Sequence, residues 1–334
     1  MKRLKKMLQF TRPHGGRGEE LFVKQFIMPY RPTVFRGADD APLAFVVDVA
    51  DGHGVVPPIL FSSHVDTVHR DTDPIKQEVD FDVDSGLVFK NDGRPLGADD
   101  AAGVWLMLSM IDRKVPGSYI FHRGEECGGI GSCGMAEWHT EWLRRFDYAI
   151  AFDRKDVGSV ITEQMCGVTA STEFAQGLCD ALNAEEMIFK YKPDATGVYT
   201  DTANYAHLIP ECTNVSCGYF FEHTKDEYLD LDHLVRLKDA VIAVFTRTGI
   251  NLPVVRDPAV RHPRQWGMWT TNWDGFSSPV DSQDVLDMTY DEVTEYVHMI
   301  SVDGVVDLII SLAEETRWAL KDAIDTEDEH QHPN

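Results

Sequence analysis

The stretch Ile59-Leu60-Phe61-Ser62-Ser63-His64-Val65-Asp66-Thr67 decides how this chain is read. Its apolar opening has strand character and leads into a histidine and an aspartate two residues apart. Residues at that spacing project from the same face of an extended strand, so His64 and Asp66 share a side. From there Asp66 can orient the imidazole or steady a ligated metal from behind it.

Four more acidic or histidine-bearing patches follow in order: Gly97-Ala98-Asp99-Asp100-Ala101-Ala102-Gly103, Gly124-Glu125-Glu126-Cys127-Gly128-Gly129, Ala151-Phe152-Asp153 and Phe221-Glu222-His223-Thr224. Most come after an apolar run that reads as a buried strand, so they are expected to gather at one mouth of a sheet. Gly97 permits a tight turn before the helix-like run Val104 to Ile111, and a carboxylate there can bridge two cations roughly 3.5–4 Å apart. Glu125 and Glu126 are adjacent, so they point different ways; the glycines at 128, 129 and 131 let the backbone turn away. Two His, two Asp and one Glu form a nitrogen and oxygen donor set for two divalent metals, with Glu125 left over as a base. No single patch is specific, and the weight lies in the ordered set. His69, His122 and His233 stand nearby without equivalent support.

The ordered set resembles the co-catalytic di-zinc exopeptidases, which include leucyl-type aminopeptidases, peptidase T and the carboxypeptidase G group. Their pattern HxD, G-A-D-D, G-E-E-x-G and a later Asp and His is met in order. Cys217 to Thr224, with Glu227 and Tyr228, is similar to the segment bearing the last metal histidine. Thr200-Asp201-Thr202 resembles a segment near the active-site floor, and Leu8 to Pro13 with Gly16, Glu19 and Glu20 resembles the opening helix and turn. The resemblance covers about residues 1–248.

It implies that Asp99 bridges the metals, that His64 and Asp153 complete one site, and that Glu126 and His223 complete the other. It further implies Glu125 as general base and then acid, Asp66 in support, and Asp99–Asp100 as a candidate cis peptide. The implied cofactors are two zinc ions, with manganese or cobalt as substitutes. Two positions depart from the family: Ala101 stands where Lys or Asn is common, and Cys127 where an aliphatic is usual. Neither is an implied ligand. Only 69 residues separate Asp153 from His223, too few for the lid domain that carboxypeptidase-G-like members insert there. The expected fold is therefore α/β, with a mixed, mostly parallel central sheet, helices on both faces and no inserted lid domain.

Composition agrees with a globular enzyme. The chain of 334 residues can bury a full core, and its 43% hydrophobic content is ordinary for an α/β protein. No apolar run reaches the length of a membrane span, and the basic start lacks the apolar stretch of a signal peptide. The six cysteines form no CxxC pair and read as reduced thiols of a cytoplasmic protein. Cys127 and Cys133 flank the turn carrying the glycines at 128, 129 and 131, but a catalytic thiol is the weaker reading. Residues 1–36 carry nine Lys and Arg against two acids, leaving −31 for the remainder of a total of −24. Such a field repels phosphate, so no nucleic-acid partner is expected, and no membrane partner either. The basic start is read as an amphipathic helix on the domain.

Strands are expected at Leu43–Val49, Pro58–Ser62, Ser118–His122, Ala149–Phe152 and Asn214–Gly218, with another near Ile188 to Tyr191. Helices are expected at 100–113, 132–146, 172–184 and 229–248. Residues 1–248 form the catalytic domain and 249–334 an appendage with no metal ligand: a Pro- and Trp-bearing segment, two helical runs and an acidic, disordered tail. The two helices are read either as completing the core or as a homo-oligomer contact.

Three functions fit. A metal-bound hydroxide in an aminopeptidase would attack a peptide bond. The same site could hydrolyse other amides, as a deacylase or carboxypeptidase acting on N-acyl amino acids. The fold could also serve as a non-catalytic binding module, which the complete set of ligands and Glu125 disfavours. The missing lid favours the peptidase, with a peptide or small amide as its partner.

Overall fold

The computed structural model describes residues 1–247 and 252–258, apart from Asp71, Val83, Met165 and Cys166. The expected Pro/Trp segment beyond Pro258, the two helical runs and the acidic tail lie outside the described residues. Met1–Arg264 forms one compact unit.

An eight-stranded sheet carries this unit, in the order Thr33–Arg36, Pro42–Val49, Gly117–His122, Ile59–His64, Tyr148–Arg154, Glu211–Ser216, Ser159–Ile161, Lys192–Asp194. Its centre is parallel: Ile59–His64 pairs in parallel with both Gly117–His122 and Tyr148–Arg154, and the latter does so with Glu211–Ser216. Pro42–Val49 runs antiparallel to both of its neighbours. The sheet is mixed with a parallel core, as expected.

The central strands Ile59–His64, Gly117–His122 and Glu211–Ser216 are buried along their whole length, as strands covered on both faces must be. The two-residue period divides their side chains between two cores. Phe61, Tyr119, Phe121 and Phe152 face one side, packed with helices Lys2–Leu8, Ala98–Asp112, Thr172–Glu185 and Leu231–Thr246. Leu60, Ile120 and Ala149 face the other, against Met135, Leu143, Phe146 and Tyr205. Helix Lys2–Leu8 buries Leu4, Met7 and Leu8 and is the expected amphipathic helix.

The interval between Asp153 and His223 forms no separate domain among the described residues. It adds Ser159–Ile161, Lys192–Asp194 and Glu211–Ser216 to the main sheet, and lays Thr172–Glu185 against helix Leu231–Thr246. A second, four-stranded antiparallel sheet orders Tyr219–Phe220, Tyr228–Asp230, Leu87–Phe89 and Asp80–Asp82. The turn between its first two strands carries His223.

Two expectations are corrected. The helix expected at 132–146 is two helices, Ile130–Trp138 and Thr140–Leu143, broken at His139. There the imidazole takes a tertiary hydrogen-bond partner, Arg36 O, at 2.8 Å and packs edge-on against Phe35. The strand expected near 188–191 begins only at Lys192. The side chain of Asn183 pairs with both the N–H and the carbonyl of Tyr191, at 2.9 Å each, and so takes the groups a sheet ladder needs.

Candidate metal centre

The parallel strands Ile59–His64 and Tyr148–Arg154 end side by side, which sets His64 Nε2 3.4 Å from Asp153 Oδ1. Helix Ala98–Asp112 runs beneath them, and a Cβ on Gly103 would meet Phe152 O at 2.1 Å. Only glycine allows that close approach. Asp99, at the head of this helix, lies between two imidazoles: its Oδ1 is 2.9 Å from His64 Nε2 and its Oδ2 3.2 Å from His223 Nε2. Glu126 Oε2 is 3.0 Å from the same nitrogen of His223.

The predicted donors thus converge as two triads that share Asp99. His64, Asp99 and Asp153 offer atoms all within 4.8 Å of one another, and so do Asp99, Glu126 and His223. A third set, His64, Glu125 and Glu126, meets the same limit, and Glu125 Oε2 stands 4.0 Å from His64 Nε2. The Asp99–Asp100 peptide bond is cis. His69, His122 and His233 engage Thr67, Tyr205 and Tyr191 instead, and enter none of these sets.

The glutamates sit on a single 3-10 turn, Glu125–Cys127, between left-handed residues Gly124 and Gly128. Gly129 is left-handed too, and a Cβ there would meet Tyr199 Oη at 1.8 Å. Asp66 holds this turn. Its Oδ1 accepts the N–H groups of Gly124 (2.9 Å) and Glu125 (3.2 Å), and its Oδ2 that of Glu126 (3.2 Å). Asp66 Oδ1 lies 3.6 Å from His64 Nδ1, so its firmest grip is on the glutamate turn.

The electrostatics favour positive charge. Burial pulls the His64 imidazole down, but Asp153, Asp66 and Asp99 outweigh it and hold the ring well above its ordinary value. Burial likewise opposes protonation of His223, and Glu126 and Asp99 prevail. Burial pushes the Asp99 carboxyl up, yet His223 and His64 carry it below its usual range. Glu125 is raised well above the carboxylate range, first by burial and then by Asp153 and Glu126, with His64 opposing. Carboxylates and imidazoles this close, without a thiolate among them, fit a pair of divalent cations with oxygen and nitrogen ligands. Burial pushes the Cys133 thiol up to about 12, which leaves almost no thiolate at neutral pH.

A surrounding layer fixes the donors. Thr200 Oγ1 donates to Asp153 Oδ2 at 2.6 Å and Tyr219 Oη to Asp153 Oδ1 at 3.1 Å. Asn214 grips the backbone of Asp153 through both its amide atoms, at 2.9 and 2.7 Å. Asp100 ties the helix head to the His64 strand by accepting Ser63 Oγ at 2.5 Å and His64 N at 3.3 Å. Glu227 accepts the N–H groups of Gly97, Ala98 and Asp99. Arg12 is fully buried and donates to Val65 O and Gly97 O, while Arg123 forms a fork with Glu19. Sequence reasoning gave no role to Asn214, Tyr219, Arg12 or Glu227. For Glu227 the available signal was its place four residues after the terminal His.

No family model and no curated protein sequence matches this chain. Solved structures do. The chain is similar to a tripeptidase from Staphylococcus aureus subsp. aureus Mu50, with a TM-score of 0.60 and 15% identity over 73% of this chain and 96% of that one. It is similar to the aminopeptidase PepT of Bacillus cereus ATCC 10987, with a TM-score of 0.56 and 15% identity over the same shares. Its fold is that of these peptidases. The TET1 peptidase of Pyrococcus horikoshii, which assembles into a tetrahedron or a large octahedral shell, matches with a TM-score of 0.53 and 17% identity over 73% of this chain and 98% of that one. At this identity the likeness is one of fold, and it agrees with the exopeptidase resemblance read from the motifs.

Proposed function

We propose that this chain is a metal-dependent peptidase, an aminopeptidase that removes residues from a free peptide amino terminus. The observation that carries the reading is the sharing of Asp99 between two donor triads, with Glu125 buried alongside. In this reading His64, Asp99 and Asp153 hold one divalent cation and Asp99, Glu126 and His223 the other. Zinc is the proposed metal, and manganese or cobalt suits the same oxygen-rich set. Two such ions supply Lewis acidity at the amide carbonyl and an acidified water.

The chain's own residues supply the rest. Glu125 takes a proton from the attacking water and delivers it to the leaving amine. Asp66 keeps the Glu125–Glu126 turn in place, while Thr200, Tyr219 and Asn214 keep Asp153 there. The acidic surroundings, in a chain of net charge −24, attract the ammonium group of a peptide. Cys127, Cys133, Cys179 and Cys217 are free thiols, which supports a reducing, cytoplasm-like location as part of the proposal. Among the described residues no helix is long and apolar enough to cross a membrane.

Incubation of the purified protein with a mixed peptide library, with and without chelator, tests the reading. Chelator-sensitive, stepwise loss of amino-terminal residues is expected. Release of carboxy-terminal residues first, or activity confined to N-acylated substrates, contradicts the aminopeptidase assignment.

A further inference from the structure

Glu227 lies four residues after His223, immediately before strand Tyr228–Asp230, and is 2% exposed. Its Oε1 accepts the N–H groups of Ala98 at 2.7 Å and Asp99 at 3.1 Å, and its Oε2 that of Gly97 at 2.8 Å. Three consecutive amides closing on one carboxylate make an anion-binding concavity of the backbone. Here the anion is a side chain from a segment 128 residues away.

Neither of the segments joined in this way is fixed by its own secondary structure. Asp99 (φ −75°, ψ 108°) and Asp100 (φ −114°, ψ 42°) depart from helical geometry inside Ala98–Asp112, so the helix does not set the direction of the Asp99 side chain. His223 sits in a left-handed conformation, φ 63°, in a turn between two short strands. From the other side the Arg12 guanidinium donates to Gly97 O at 3.2 Å and to Val65 O at 2.8 Å. The backbone leading into Asp99 is thus gripped at its amides by Glu227 and at a carbonyl by Arg12.

We propose that Glu227 is a positioning residue of the metal centre: by holding the Gly97–Asp99 amides it sets the spacing of Asp99 from His223 within the second donor triad. This rests on the dinuclear reading above and adds to it the element that joins the bridging residue to the last ligand. A carboxylate is required because all three partners are donors. Glutamine would turn an NH2 group toward one of those amides.

The test uses metal-stripped full-length protein, titrated with zinc in a calorimeter, and the visible spectrum of the cobalt-loaded form. Wild type is compared with Glu227→Gln, Glu227→Asp and Ser171→Ala. The last removes a hydrogen bond to Glu211 and touches no donor residue. Both Glu227 variants are expected to bind one of two zinc equivalents about 10–100-fold more weakly and to shift the cobalt bands. Ser171→Ala should lower Tm and leave both metal readouts unchanged. Wild-type affinities and spectrum in Glu227→Gln overturn the proposal, whatever its Tm. If that variant does not fold, the same result in Glu227→Asp overturns it. A wild type that binds no zinc overturns the dinuclear reading along with it, whereas two tight equivalents in wild type and variants alike overturn only the role of Glu227.

Discussion

Asp66 Oδ1 accepts the backbone N–H of Glu125 at 3.2 Å, so the residue two positions beyond His64 anchors the proposed general base. That carboxylate spans Gly124 to Glu126 and is wholly buried. Through it the strand end that presents one imidazole also fixes the turn presenting both glutamates.

Replacing Asp66 by Asn leaves one acceptor oxygen for amides that now share two. Turnover should fall about 10–100-fold, the usual effect of disturbing a group that orients a metal site. Steady-state kinetics on an amino-terminal peptide substrate, beside metal analysis of the variant, reads the effect. Unchanged kinetics would remove Asp66 from the site.

Glu125→Gln should keep both metals and lose about 10²–10⁴-fold in turnover, since glutamine cannot relay a proton. Metal content and rate measured on one preparation separate this outcome from simple loss of the centre. A rate near wild type would disprove the assignment.

The Glu19–Arg123 fork gives a pH-dependent contribution to stability. Burial pushes the Glu19 carboxyl up, but the Arg123 and His14 hydrogen bonds outweigh it and leave it below its ordinary value. A depressed folded-state value stabilises the fold above the unfolded glutamate pKa of about 4.3, and the benefit disappears as pH falls through the folded value. The stability gap between wild type and Glu19→Gln, followed by denaturant unfolding, should therefore be widest near neutral pH and close in acid. A gap that widens in acid would contradict this.

The segment Leu252–Pro258 is bound to the main unit through Glu211. Val255 N and Arg256 N donate to Glu211 Oε1 at 2.7 and 3.0 Å, and the Arg256 guanidinium reaches the carbonyls of Ala206, Ile209 and Pro210. Leu252 is buried in the larger core. Arg256→Ala should cost about 1–3 kcal/mol through those stranded carbonyls. Truncation after residue 248 should cost more, because it also uncovers the Glu211 carboxylate. Thermal unfolding checks both, and a truncated protein as stable as wild type would contradict the clasp.

His64, Asp153 and the two glutamates were legible because they sit at or just beyond the ends of buried strands, whereas Asp99 heads a helix and His223 lies in a turn. Ile59 to Phe61 and Tyr119 to Phe121 announce strands, and the polar residues directly after them mark one mouth of the sheet. The shared layer around the donors was not legible. Arg12 and Tyr219 fall inside segments that the resemblance marked, but their partners, like those of Asn214, are tertiary contacts that leave no local pattern. The second sheet was missed because its strands are two or three residues long, too short for any period to show. His139 and Asn183 mislead in the same way: each side chain takes a distant or looping partner that overrides the local helix or strand preference.

Counting metals decides whether Asp99 bridges a two-metal centre. Protein purified without chelator, as wild type and as Asp99→Ala, is analysed for metal per chain before and after zinc is added. Wild type should carry two equivalents, and Asp99→Ala should lose metal from both positions. Less than one equivalent in wild type with no gain on adding zinc, or two retained in Asp99→Ala, would contradict it.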